Sequence, residues 1–109
     1  DMIVTGGENV YAAEVESVLS LMPEVGEVAV IAVPDDRWGE RVHAVIVLRD
    51  GAETTPESVI AFCDGKIADF KKPRSVEIRP EPLPLSGAGK ILKSVLRAPH
   101  WQGRARGVN

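Results

Sequence analysis

Apolar residues recur along this chain at two different periods. Val15, Val18, Leu19 and Met22 stand at i, i+3, i+4 and i+7, the single stripe of an amphipathic helix, and Pro23 is placed to stop it. A second stripe, Val59, Phe62, Cys63 and Ile67, follows Thr55-Pro56-Glu57, where a capping hydroxyl, a first-turn proline and an acid mark a helix start. Gly65 weakens that helix by about 1 kcal/mol relative to alanine, so the pattern predicts an early end and a turn toward Phe70. Between the two helices the apolar runs are continuous. Residues 28–33 are unbroken and closed by Pro34, and residues 42–48 are nearly so; both predict strands covered on two faces.

The remaining elements are shorter. Met2-Ile3-Val4 and Val10-Tyr11 flank Thr5-Gly6-Gly7-Glu8-Asn9, which predicts an opening hairpin whose glycines permit positive φ. Asp35, Asp36 and Gly39 mark a loop between the two long strands, and Asp50-Gly51 marks a turn. Val76-Glu77-Ile78-Arg79 alternates as a half-exposed strand. Pro80, Pro82 and Pro84 then forbid regular structure, Ser86-Gly87-Ala88-Gly89 extends the loop, and residues 90–97 predict a final helix stopped by Pro99. The order βαββαβα, opened by a short hairpin, predicts an α+β fold with helices packed on a small mixed sheet.

At 109 residues and 44% apolar content the chain forms one domain, 1–109, able to bury a core without a disulfide or metal staple. Cys63 is the single cysteine, and with only His43 and His100 beside it no zinc constellation and no metal ligand is expected. Cys63 reads as core, and His43 as a strand residue facing a polar edge. No apolar run approaches the roughly 18 residues of a membrane span and no signal peptide opens the chain, so a cytoplasmic setting is expected. The start at Asp1, directly on an apolar stretch, suggests a piece of a longer polypeptide.

The net charge of −3 hides an asymmetry. Residues 1–65 hold three arginines against 13 acids, whereas residues 66–109 hold ten Lys and Arg against three acids, which makes the second half the natural place for phosphates. Gly89-Lys90 invites a phosphate-loop reading, but that motif needs glycine where Pro84 stands and Ser or Thr where Ile91 stands. What remains is a lysine on a glycine-lined loop at the start of a helix. Taken alone, it reads as a solvated side chain.

Asp1-Met2-Ile3-Val4-Thr5-Gly6-Gly7-Glu8-Asn9-Val10-Tyr11-Ala12-Ala13-Glu14-Val15-Glu16 resembles, position by position, the opening of the C-terminal domain of adenylate-forming enzymes: acyl-CoA synthetases, peptide-synthetase adenylation domains and luciferases. Val33-Pro34-Asp35-Asp36-Arg37-Trp38-Gly39-Glu40 is similar to a loop of that family, Phe70-Lys71-Lys72-Pro73-Arg74 to its aromatic-Lys-x-Pro-basic segment, and residues 83–97 to its terminal Gly-Lys motif. The likeness is strongest to bacterial fatty-acyl-CoA ligases. Three positions depart from the pattern: Leu85 where a basic residue is common, Ala88 where Ser or Thr precedes Gly-Lys, and Ala12 where proline often precedes the first helix.

The resemblance implies a mobile lid on an N-terminal domain that lies outside this chain, with Asp1 following the hinge. It implies two half reactions, in which a carboxylic acid and ATP, with Mg2+, give acyl-adenylate, and CoA then displaces AMP. Lys90 is implied as the catalytic lysine of the first step. Gly6, Gly7 and Glu8 are implied to line the pantetheine channel, Trp38 and Phe70 to contact CoA, and Lys72 and Arg74 to meet its phosphates. ATP and Mg2+ belong mainly to the N-terminal domain, and nucleic acid is not an expected partner. Two alternatives stand beside this reading: the lid of a peptide synthetase that docks a carrier protein, and a non-catalytic α+β ligand-binding module.

Overall fold

The computed structural model describes residues 1–103; Arg104, Arg106 and Asn109 lie outside the described residues. Its elements are β1 (Met2–Thr5), β2 (Glu8–Tyr11), α1 (Ala12–Leu19), β3 (Val25–Asp35), β4 (Gly39–Leu48), α2 (Pro56–Phe62), a 3₁₀ turn at Asp69–Lys71, β5 (Ser75–Ile78) and α3 (Lys93–Trp101). β4 is the spine of the sheet. β3 pairs antiparallel along its length, from Val25 opposite Leu48 to Asp35 opposite Gly39. The other edge of β4 is shared by β1, which meets it at Thr5 opposite Gly39, and by β5, which runs parallel from His43 opposite Ser75 to Ile46 opposite Ile78.

Because side chains alternate along a strand, β3 and β4 serve two cores. Val30, Val42, Ala44 and Ile46 pack with Val15 and Leu19 of α1 and with Val59 and Cys63 at α2, whereas Ala29, Ile31, Val33 and Val45 pack with Leu83 and with Leu96 of α3. This two-sided cover is why both strands read as unbroken apolar runs, and the expected α+β fold on a mixed sheet holds. Truncating a wholly buried side chain such as Leu19 to alanine costs about 2–5 kcal/mol.

Side-chain carboxylates finish what the strands leave unpaired. Glu16 Oε2 accepts from the Val30 N–H (2.9 Å) and Glu40 Oε1 from the Val4 N–H (2.8 Å), while Glu27 Oε1 holds the Leu83 N–H at 3.0 Å. Lys93 Nζ joins the first of these, 2.8 Å from Glu16 Oε2, and also pairs with the Asp1 carboxylate.

Several local expectations need correction. The last helix spans Lys93–Trp101 rather than residues 90–97, and Pro99 lies inside it. The helix passes the proline because Trp101 is buried and its Nε1–H donates to the Ala32 carbonyl at 2.8 Å, which anchors the turn from outside. Pro34 lies within β3 instead of closing it, as an edge strand can spare a donor. α1 ends at Leu19, and Met22 stays buried in the turn beyond. α2 does end early, at Phe62, with the polypeptide turning toward Phe70 as Gly65 suggested. His43 faces no polar edge: it is buried where β5 joins β4.

Candidate functional site

The β1–β2 hairpin has Thr5 opposite Glu8, leaving Gly6 and Gly7 as a two-residue turn with φ of +57° and +83°. Positive φ at both central positions is what a tight type I′ turn demands, and glycine alone adopts it without cost. Gly6 meets a second demand. A Cβ there would fall 2.6 Å from Cε3 of Trp38, so the indole lies flat against bare backbone, and the Gly6 N–H donates to the Trp38 carbonyl at 2.8 Å. Beside Gly7 the space is open to 4 Å, and Glu8 is exposed.

Trp38 is held by the loop that carries it. The Asp35 carboxylate accepts from the N–H groups of Trp38 (2.9 Å) and Arg37 (2.8 Å). These bonds, the one from Trp38 foremost, with Arg41 and Arg74 nearby, hold the Asp35 carboxyl below the usual carboxylate range. The guanidinium of Arg74 stacks 4.3 Å from the indole centroid and that of Arg37 4.8 Å. Arg74 reaches this position because its N–H is bonded to the Val42 carbonyl at 2.9 Å, just before β5 starts its parallel pairing. Gly6, Trp38 and Arg74, far apart in sequence, thus form one platform with a cationic rim.

The other implied contacts are less free. Phe70 is half-buried against the core on the α1 and α2 side, with Lys71 Nζ 5.7 Å from its ring. Lys72 is engaged by two carboxylates, Asp64 and Asp69, the latter at 2.9 Å, and its hydrogen bond to Asp64 is the main cause that raises its pKa.

Lys90 sits on a hairpin of its own. Leu85 bridges Ile91, the Ser86 N–H donates to the Lys90 carbonyl (2.8 Å), and Ser86 Oγ accepts from the N–H groups of Ala88 and Lys90 at 3.2 Å each. The lysine is therefore placed by a serine-knotted loop, not by the first turn of a helix as expected. It is exposed, and its ammonium has no carboxylate partner among the described residues. A fixed backbone under an unpaired ammonium suits a cation meant for a ligand anion.

Residues 14–90 match the sequence profile of the AMP-binding enzyme C-terminal domain. The long-chain-fatty-acid–CoA ligase FadD13 of Mycobacterium tuberculosis is 48% identical over 97 residues, which is 89% of this chain and 19% of that protein. The human mitochondrial medium-chain acyl-CoA ligase ACSF2 is 50% identical over the same length, covering 89% of this chain and 16% of the relative. Among solved structures, a Mycobacterium tuberculosis fatty acyl CoA synthetase superposes with a TM-score of 0.85 at 42% identity, over 96% of this chain and 20% of that one. The chain therefore spans about a fifth of the length of the proteins it matches. No described helix is long and apolar enough to cross a membrane.

Proposed function

This chain belongs to the AMP-binding enzyme C-terminal domain family, and from that premise we propose that it is the lid of an ATP-dependent, AMP-forming ligase that joins a fatty acid to CoA. The observation that carries the reading is the hairpin of Lys90, an exposed ammonium on a pinned backbone with no carboxylate partner among the described residues. In the adenylation step Lys90 bridges the attacking carboxylate and the α-phosphate of ATP. Both are anionic and repel each other, so a positioned cation lowers the barrier by neutralising charge where it accumulates, with no proton exchanged. Mg2+ accompanies the nucleotide in such chemistry, but the Lys90 hairpin contains no carboxylate to hold it. Within that hairpin, the group offered to adenylation is thus the lysine alone.

In thioester formation the Gly6-Gly7 turn lines the pantetheine path, and the Trp38–Arg74 platform receives the nucleotide end of CoA. An aromatic plane beside guanidinium groups offers stacking and phosphate pairing together. Arg74 is better suited to a phosphate than Lys72, whose charge two carboxylates already answer. Calorimetry with Mg-ATP and assay of ATP–pyrophosphate exchange test the reading directly. The 109-residue chain by itself should show neither specific binding nor exchange, and micromolar binding or measurable exchange would overturn the assignment as a lid.

A further inference from the structure

His43, Glu77 and His100 come from three elements, yet their donor atoms all lie within 4.8 Å of one another. The parallel register sets His43 opposite Ser75, so Glu77, two residues on, projects from the same face one step along. α3 covers that face and its last turn brings in His100, whose ring centroid is 5.0 Å from that of His43 at an inclination of 57°. His43 is only 6% exposed. Its Nδ1 lies 2.6 Å from Ser75 Oγ, and with the proton on Nδ1 donated to that oxygen, Nε2 turns a bare lone pair into the cluster. Nε2 is buried and makes no hydrogen bond among the described residues; Glu77 Oε1, 3.6 Å away, is too far for one.

We propose that His43, Glu77 and His100 form a binding site for a divalent transition-metal ion, Zn2+ by the chemistry of the donors. Two imidazole nitrogens and one carboxylate oxygen are a borderline-soft set suited to Zn2+, with water in a fourth position, and unsuited to Mg2+, which takes oxygen throughout. Donor atoms of a tetrahedral zinc site stand roughly 3.3 Å apart, so the three groups must draw closer. Glu77 is exposed and His100 half-buried, which leaves both free to move, while Ser75 fixes the ring of His43 through its other nitrogen, as outer partners of metal-ligating histidines do. Arg41, two residues before His43 on the same strand face, opposes the bound charge, and its guanidinium leans toward Asp35 at 3.9 Å. The ion would clamp the last turn of α3 to β4 and β5 beside Pro99, where the helix lacks a backbone donor. Cys63 packs in the other core and takes no part.

The test is equilibrium dialysis of the chelator-stripped 109-residue chain against ZnCl2, with metal analysis, repeated with CoCl2 for its visible spectrum. One saturable equivalent of Zn2+ per chain is expected, undisturbed by millimolar Mg2+, with the intense Co2+ absorption of four-coordination and a higher melting temperature. Glu77→Gln and His100→Ala should each weaken binding by about tenfold or more, and Cys63→Ser should leave it unchanged. Glu77 is a surface group, so E77Q keeps the test valid even where H100A is unstable, and His100→Gln then takes its place. No saturable binding at micromolar zinc, or wild-type affinity in E77Q or in the His100 variant, overturns the proposal.

Discussion

The guanidinium carbon of Arg74 stands 4.3 Å above the ring centroid of Trp38, and Gly6 lies against that same indole, on a turn that no residue with a Cβ could bring so close. Stacking of this kind is worth about 0.5–1 kcal/mol at a partly exposed site. Its greater importance is placement, because one aromatic plane is fixed by the β1–β2 hairpin, by the Asp35 loop and by the entry to β5 together. On the function proposed above, substitutions along this hairpin and platform should act on thioester formation and spare adenylation.

Gly7→Leu in the full-length ligase is expected to leave ATP–pyrophosphate exchange within about twofold while slowing transfer to CoA by tenfold or more. The backbone cost of a side chain at φ +83° is about 1–2 kcal/mol, and the leucine projects into space that is open in this chain, so the fold survives. Both half reactions, measured on a variant of checked melting temperature, decide the matter. Equal slowing of the two steps would rule out a turn that serves only the second.

Lys90→Ala should lower adenylation by about 100-fold or more and leave the melting temperature unchanged, since the ammonium has no partner within the described fold to lose. Supplied with preformed acyl-adenylate, the same variant should make thioester at close to the wild-type rate. A large drop in melting temperature would show instead that the lysine supports the hairpin.

Trp38→Ala and Arg74→Glu should raise the KM for CoA and spare that for ATP. For Arg74→Glu the effect should shrink as salt is raised from 0.05 to about 0.5 M, because an exposed guanidinium meeting phosphate is screened. For Trp38→Ala salt should matter little. A salt-independent defect in R74E would mean that the arginine acts by orienting Trp38.

Burial raises the pKa of the Cys63 thiol, and the ammonium of Lys72 only partly opposes it. In the unfolded chain the thiol ionises at roughly pH 8.5. Below that value both states hold the proton and Cys63 makes no difference; above it the unfolded state loses its proton first, so stability falls as pH rises. Urea midpoints measured from pH 7 to 10 should decline more steeply for the wild type than for Cys63→Ala. Alkylation of the native thiol should be slow and accelerate with denaturant.

The first helix was legible from its apolar stripe and the long strands from burial on both faces, which makes residues 28–33 an unbroken apolar run and residues 42–48 nearly one. The start of α3 was not. Ile91 has the apolar character of a helix position, but it closes a hairpin with Leu85, and the serine that knots this loop is silent in any periodicity. The platform was half legible: Gly6, Trp38 and Arg74 each stood in a recognisable motif, while their mutual contact depends on the register of β1 and β5 against β4. Glu77 drew no notice beside the histidines because its nearness to them arises from a parallel pairing, which leaves no local trace in sequence.

Lys93 holds two carboxylates at once, Asp1 at the first residue and Glu16 on the helix that follows, and Arg97 adds a weaker hold on Asp1 at 4.0 Å. These bonds make a short linkage between the first residue and α3, the helix that begins three positions after Lys90. For the lid proposed above, these ion pairs offer a path from Asp1 to α3 and the neighbouring Lys90 hairpin that does not run through the sheet. In a lid of the kind proposed above, that linkage would let a domain 39 × 36 × 21 Å in extent turn as one stiff body.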